Sequence, residues 1–348
     1  MPVSVMEHFE GQAKACDELG SPFTASLCRL LGQRLDRSTL FGRRILDWPG
    51  DPRADVLALR ACSALHALAR SGRAMFLRRV YPPTKLEQER LWLAVAQAMR
   101  QHDEFLAAWL DSPPQTNEVA RSSMVLGAAL TVAGLTRLPL AVLEIGASGG
   151  LNLGFDQYRY ELGDGRSWGG AGAPLTIASE WRGGIPPLDA PLKVESRMGC
   201  DRNPLDPASE ADANRLLSYV WPDQPHRLAR LEAALRLAAA SGRKVERADA
   251  AAWVEQQLAG RAERGICRFV FHTVVWQYLP DDVKARIAAA LAAAGAAATA
   301  ETPLAHFSFE NDNTDPGGAM TLTLWPDGRV IPLGRADFHG RWVEWQKA

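Results

Sequence analysis

Apolar positions recur at intervals of three and four residues in the first third of the chain: Val56, Leu59, Leu65 and Leu68, then Leu91, Leu93, Val95, Met99, Phe105, Leu106 and Leu110. That is the period of helices that bury one face. Proline or glycine clusters at Ser21-Pro22, Trp48-Pro49-Gly50, Tyr81-Pro82-Pro83 and Ser112-Pro113-Pro114 punctuate it. The spacing predicts an all-helical N-terminal region over residues 1–136, with roughly five to seven helices. The last of them opens at Gln115-Thr116-Asn117-Glu118, with Thr116 or Asn117 as N-cap, and runs through Arg121 to about Ala133.

Beyond residue 137 the pattern changes. Short strand-like runs at 140–145, 192–200, 244–247, 266–275 and 304–310 alternate with helical stretches at 209–240, 250–259 and 281–294, and two last runs, 320–325 and 329–333, meet at Pro326-Asp327-Gly328. This alternation predicts an α/β domain over 137–348, a mostly parallel sheet closed by an antiparallel C-terminal hairpin. Residues 157–190 form an insertion in it. Gly163-Asp164-Gly165 predicts a tight hairpin there, and 175–178 a further strand. Residues 158–162 compete for the place of second strand, but they leave only about eight residues for a crossover that needs a dozen or more.

Composition narrows the class. The chain has 348 residues, 47% hydrophobic and 23% charged, as a soluble globular protein with room for two domains does. A net charge of -1 offers no bulk attraction for phosphate backbones, so no nucleic-acid partner is expected. Cys16, Cys28, Cys62, Cys200 and Cys267 are odd in number and lack C-x-x-C spacing, which predicts neither a disulfide framework nor a zinc site and favours a cytoplasmic location. The N-terminal stretch carries acids and no apolar core of a secretory signal. The nearest apolar run, 287–300, is too short for a membrane span. The helical region could supply a homodimer face.

Candidate chemistry concentrates in residues 138–156, where an apolar run interrupted by Glu144 ends on Gly146-Ala147-Ser148-Gly149-Gly150 and Leu151 opens a helix. Strand, glycine turn and helix start make a nucleotide-binding first unit. A P-loop is excluded by the lack of Gly-Lys-Ser/Thr, and the dinucleotide fingerprint by Ser148 where a central glycine is needed. The stretch matches E-x-G-x-x-x-G over residues 144–150. With it, residues 138–348 resemble class I S-adenosylmethionine-dependent methyltransferases, a Rossmann-like fold. More narrowly, QTNEVARSS, LEIGASGGLNL, GCDRNPLD and FHTVVWQYLP together resemble the bacterial family DUF2332 over essentially the whole chain.

The methyltransferase resemblance implies S-adenosylmethionine as cofactor, with Glu144 near its methionine moiety, Asp201 on the ribose hydroxyls and Asp249, beside Ala250, on the adenine amine. Gly146, Ala147, Ser148 and Gly149 would form the turn against it. Physical chemistry points the same way. Acids end the first three strands, and the ligand's ammonium, sulfonium, diol and amine all favour carboxylate acceptors. The plain alternative for Asp249 is a helix N-cap. Asn117 and Arg121 would face the ligand crevice, or form a cap and a surface ion pair. His272, ending the fourth strand, and Tyr278 beyond it are the catalytic candidates, against a core hydrogen bond for His272. His306, His339, Trp342 and Trp345 are read as packing. The expected activity is methyl transfer to a small-molecule substrate. A non-catalytic adenosyl-binding protein and another nucleotide-binding enzyme are the alternatives.

Overall fold

The computed structural model describes residues 4–84, 87–260 and 262–346. The chain divides into two compact units, one of residues 1–116 and 210–232, the other of 117–209 and 233–348.

The first unit is helical. It contains α1 (Val5–Glu18), α2 (Pro22–Arg34), α3 (Leu40–Leu46), α4 (Leu57–Arg70), α5 (Met75–Arg78), α6 (Gln88–Gln101) and α7 (Asp103–Trp109). The start of α1 is fixed by a capping box: Glu7 N–H donates to Ser4 Oγ at 3.2 Å, and Ser4 N–H to the Glu7 carboxylate at 2.9 Å. Phe9, Leu27, Leu31, Phe41, Leu65 and Leu68 join one core around α4, whose residues are buried on nearly every side. The core is completed from a distant stretch of chain, since Tyr219 belongs to it and Arg215 lies 4.3 Å over the Trp109 ring.

The second unit opens with a short 3-10 turn, Val119–Arg121, and α8 (Ser122–Thr136). The helix expected to start at Gln115 therefore starts later. Glu118 caps the 3-10 turn, accepting from Ala120 N–H at 3.2 Å, α8 itself has no side-chain cap, and neither Thr116 nor Asn117 fills that role. By length and composition Val119–Thr136 could cross a membrane, a longer apolar stretch than 287–300, yet 83% of it is buried within the protein. A helix that is apolar all round is a core helix. It packs on the sheet, so the helical region and the sheet do not part at residue 136.

The strands are β1 (Leu140–Ile145), β2 (Arg159–Glu161), β3 (Ser167–Trp168), β4 (Thr176–Ala178), β5 (Glu180–Gly183), β6 (Val194–Asp201), β7 (Glu246–Arg247), β8 (Cys267–Thr273), β9 (Leu304–Glu310), β10 (Gly318–Trp325), β11 (Arg329–Ala336) and β12 (Trp342–Trp345). Nine of them form one sheet in the order β5-β12-β11-β10-β9-β8-β1-β6-β7. Pairing is parallel from β7 through β9 and antiparallel from β9 to β12. The parallel strands step outward on both sides of β1. Such an order leaves a crevice at the strands' carboxyl ends beside the first strand.

The partner of β1 is β6, and residues 159–161 lie instead in the separate sheet β3-β2-β4 within the insertion. The helices α9 (Glu210–Tyr219), α10 (Pro225–Ser241), α11 (Ala250–Ala259) and α12 (Asp281–Ala296) complete the chain. Leu143 and Ile145 share a core with α11 and α12, so alternation turns Val142 and Glu144 to the opposite face. Parallel strands covered on both faces read as continuous apolar runs, which is why β1, β8 and β9 stand out in the sequence.

Candidate functional site

The glycine turn after β1 is tied to the end of β6. Ser148, at φ +52°, donates its backbone N–H to Asp201 Oδ2 at 2.9 Å, and Asn203 N–H donates to Asp201 Oδ1 at 2.8 Å. Ala147 N–H reaches Cys200 O at 2.9 Å. Close approach is possible because β6 carries Gly199, where a Cβ would stand 2.8 Å from that of Ala147. The acid expected to bind ribose holds the turn, with both its oxygens accepting from backbone N–H groups. Gly149 is buried within it. Gly146 runs at φ +70°, and the space a side chain would occupy is filled by Val275. Its lack of a Cβ is accounted for by the neighbouring strand's loop.

Two buried polar side chains lie beside the turn. Glu144 is 2% exposed, and its Oε2 has no hydrogen-bond partner among the described residues. Asn152 is equally buried and its Oδ1 is likewise unpartnered. Burial drives the Glu144 carboxyl well above the ordinary carboxylate range, and the Asp201 charge pushes the same way. Arg243, the Asn152 side chain and the Leu153 backbone oppose this less strongly.

The helix expected after the turn is a 3-10 segment, Asn152–Gln157, with Gly154 packed against the Arg243 guanidinium. Arg197 clamps this segment: it donates to Leu153 O at 2.9 Å and to both Asp156 oxygens at 2.7 and 3.0 Å. Tyr158 Oη donates to Leu151 O at 2.7 Å. Asn152, Tyr158, Arg197 and Arg243 escaped the sequence reading. Only the strand alternation that turns Arg197 toward this face could have hinted at one of them.

Asn117 is brought to the turn: its Oδ1 accepts from Leu151 N–H at 3.2 Å. Arg121 is 9% exposed and donates to Phe338 O at 2.9 Å and Thr273 O at 3.3 Å, so it fastens the end of β8. The surface ion pair entertained for this helix start does not describe such buried groups. Asp249 N-caps α11, accepting from Ala252 N–H at 3.1 Å, with Arg286 Nη1 at 3.8 Å. Ala250 enters the core shared by α11 and α12.

His272 is not brought to Glu144. It pairs in register with Ile145, on the α11 and α12 face, and is 2% exposed. Its Nδ1 lies 2.7 Å from Glu310 Oε1, and its ring stacks on Trp276 at 4.9 Å. Glu310 also accepts from Val275 N–H at 3.0 Å and Trp276 N–H at 3.2 Å, fixing a turn in which Val274 runs at φ +54°. The neighbouring His306 is held neutral, its pKa lowered to about 3 by burial and by His272. Tyr278 ends the 3-10 turn beyond β8 and is 68% exposed. Among the described residues no group of His, Cys, Asp and Glu is arranged to hold a metal ion.

The arrangement offers buried acceptors beside a glycine turn, at the carboxyl edge where parallel strands diverge. Glu144 Oε2 and Asn152 Oδ1 are acceptors without a partner there among the described residues, and His272 lies on the other face of the sheet. No curated protein and no solved structure matches the chain. A family match does, over residues 6–345, and the chain belongs to the family described as "Uncharacterized protein conserved in bacteria (DUF2332)".

Proposed function

We propose that this protein binds S-adenosylmethionine across the carboxyl ends of β1, β6 and β7 and transfers its methyl group to a small-molecule acceptor. The observation that carries the reading is the pair of unpartnered buried oxygens, Glu144 Oε2 and Asn152 Oδ1, beside the glycine turn. Buried polar atoms without partners are costly, and a ligand's N–H and O–H donors would satisfy them. Asp201 stands at the next strand end and Asp249 at the one after, within the two loops that a ribose and an adenine would meet.

The cofactor supplies an already activated methyl group on a sulfonium. What this chain must contribute is orientation and exclusion of water, which rigid buried acceptors provide. No general base is required of His272 for that. Tyr278, exposed at the same edge, is the aromatic group available to an acceptor. The net charge of -1 favours a small molecule over nucleic acid.

Burial of His272 away from Glu144 favours one second reading, a binding protein that keeps the adenosyl ligand without turnover. Calorimetric titration with S-adenosylmethionine, S-adenosylhomocysteine, NAD and ATP separates the possibilities. Heat with the two adenosyl thio-compounds alone is the expected result. Heat with NAD or ATP alone would assign the site to another nucleotide. Binding without methyl transfer across an acceptor library would select the second reading.

A further inference from the structure

Glu144 sits in a setting that is hard to reconcile with a permanent charge. Its carboxyl is 2% exposed, one oxygen has no partner, and no ion pair to it exists among the described residues. The groups that face it are few. β6 brings Asp201 on the same face and Cys200 behind it, the segment before β7 brings Arg243, the segment after the 3-10 turn brings Tyr158, and the Asn152 side chain and Leu153 backbone hydrogen-bond to the carboxyl. α8, which packs over the 3-10 segment, has no ionisable residue between Ser122 and Thr136. Arg243 donates through Nε to Ser241 at 2.7 Å and through Nη2 to Gln157 at 3.1 Å, its buried Nη1 has no partner among the described residues, and it makes no ion pair with Glu144.

We propose that Glu144 is a neutral acid in the ligand-free protein and gives up its proton when a cationic ligand amine docks on it. This rests on the adenosyl-binding reading above. The O–H bond of the carboxyl breaks, the proton leaves to solvent, and the resulting carboxylate accepts an N–H from the ligand ammonium. A positive charge enters as one leaves, so the buried site never holds an uncompensated charge. Binding is then linked to pH: affinity rises with pH for as long as the free protein keeps the proton, by up to about tenfold per unit. Such a gate rejects neutral analogues, since only a cation repays the loss of the proton.

Two measurements test this. The first is carbon NMR of ligand-free protein labelled at the glutamate side-chain carboxyl, compared with Glu144→Gln. A neutral-acid resonance at pH 7 that vanishes in the variant is expected, and a Glu144 signal titrating in the ordinary carboxylate range would overturn the proposal. The second is calorimetry with S-adenosylmethionine at pH 7 in two buffers of different ionisation enthalpy. Release of about one proton per ligand is expected, with none from Glu144→Gln. Wild-type binding without proton release overturns the linkage while leaving adenosyl binding intact. Absence of binding overturns the adenosyl reading and the linkage with it, and the NMR signal still reports the state of the carboxyl.

Discussion

At Gly146 the backbone runs at φ +70° and Val275 occupies the room a side chain would need. Gly146→Ala therefore meets two costs, about 1–2 kcal/mol for the left-handed conformation and a steric term on top. Urea denaturation should show a loss above about 2 kcal/mol, partly restored when Val275→Ala is added. An unchanged midpoint in the single variant would mean that the turn is not so confined. Glu144 makes the opposite prediction. Its folded-state pKa lies above the unfolded value near 4.5, so the folded state binds the extra proton between those two values. Stability attached to this group is complete below that lower value and is lost as pH rises through the folded pKa. Glu144→Gln should match wild type near pH 4.5 and be the more stable protein at pH 8, with a flatter pH profile. A larger stability loss in the variant at pH 8 would contradict the burial argument. The sequence made both residues visible as a motif, but their reasons lie in Val275, Asp201 and Asn152, which are distant or inconspicuous along the chain.

Elements were legible where burial imprints a period. β1, β9 and the hairpin of β10 and β11 follow the apolar runs closely, and β6 pairs with β1 as crossover length requires. β5 and β12 were missed, because four-residue edge strands such as Glu-Trp-Arg-Gly owe their form to each other and not to their own pattern. The 3-10 segment after the glycine turn was read as a helix for a similar reason: its apolar residues are all buried, but Gly154 is placed there for Arg243. Capping gives a clean separation of roles at Asp249. Asp249→Ala should cost about 1 kcal/mol through the lost cap, whereas Asp249→Ser keeps the cap. Adenosyl affinity lost in the serine variant at full stability would report a ligand contact, and retained affinity would reduce Asp249 to its cap. Glu310 organises the turn after β8 through three donors. Glu310→Ala should lower stability by about 2–3 kcal/mol and alter tryptophan emission, since Trp276 is one of the groups released. A change below about 0.5 kcal/mol would show that the turn holds without it.

For the molecule as a whole, sequence periodicity separated a helical region from a sheet but drew the line at residue 136, where the pattern changes. Folding follows contacts instead. α8 lies under the sheet and α9 completes the N-terminal helical core, so each unit is built from two stretches of chain. A fragment of residues 137–348 lacks the buried face of α8 and should show no cooperative unfolding transition, where the full chain does. A sharp melt of that fragment would restore the simpler boundary. The candidate site was legible in its glycine turn and its strand-end acids, and illegible in the cluster of Asn152, Tyr158, Arg197 and Arg243, which only the fold assembles. The central claim is that Glu144 receives the ligand's amine. Equilibrium titration of wild-type protein and Glu144→Ala with S-adenosylmethionine tests it most directly: the variant, folded by circular dichroism, should bind at least about tenfold more weakly, or 1.4 kcal/mol, and equal affinity in the two proteins would contradict the account.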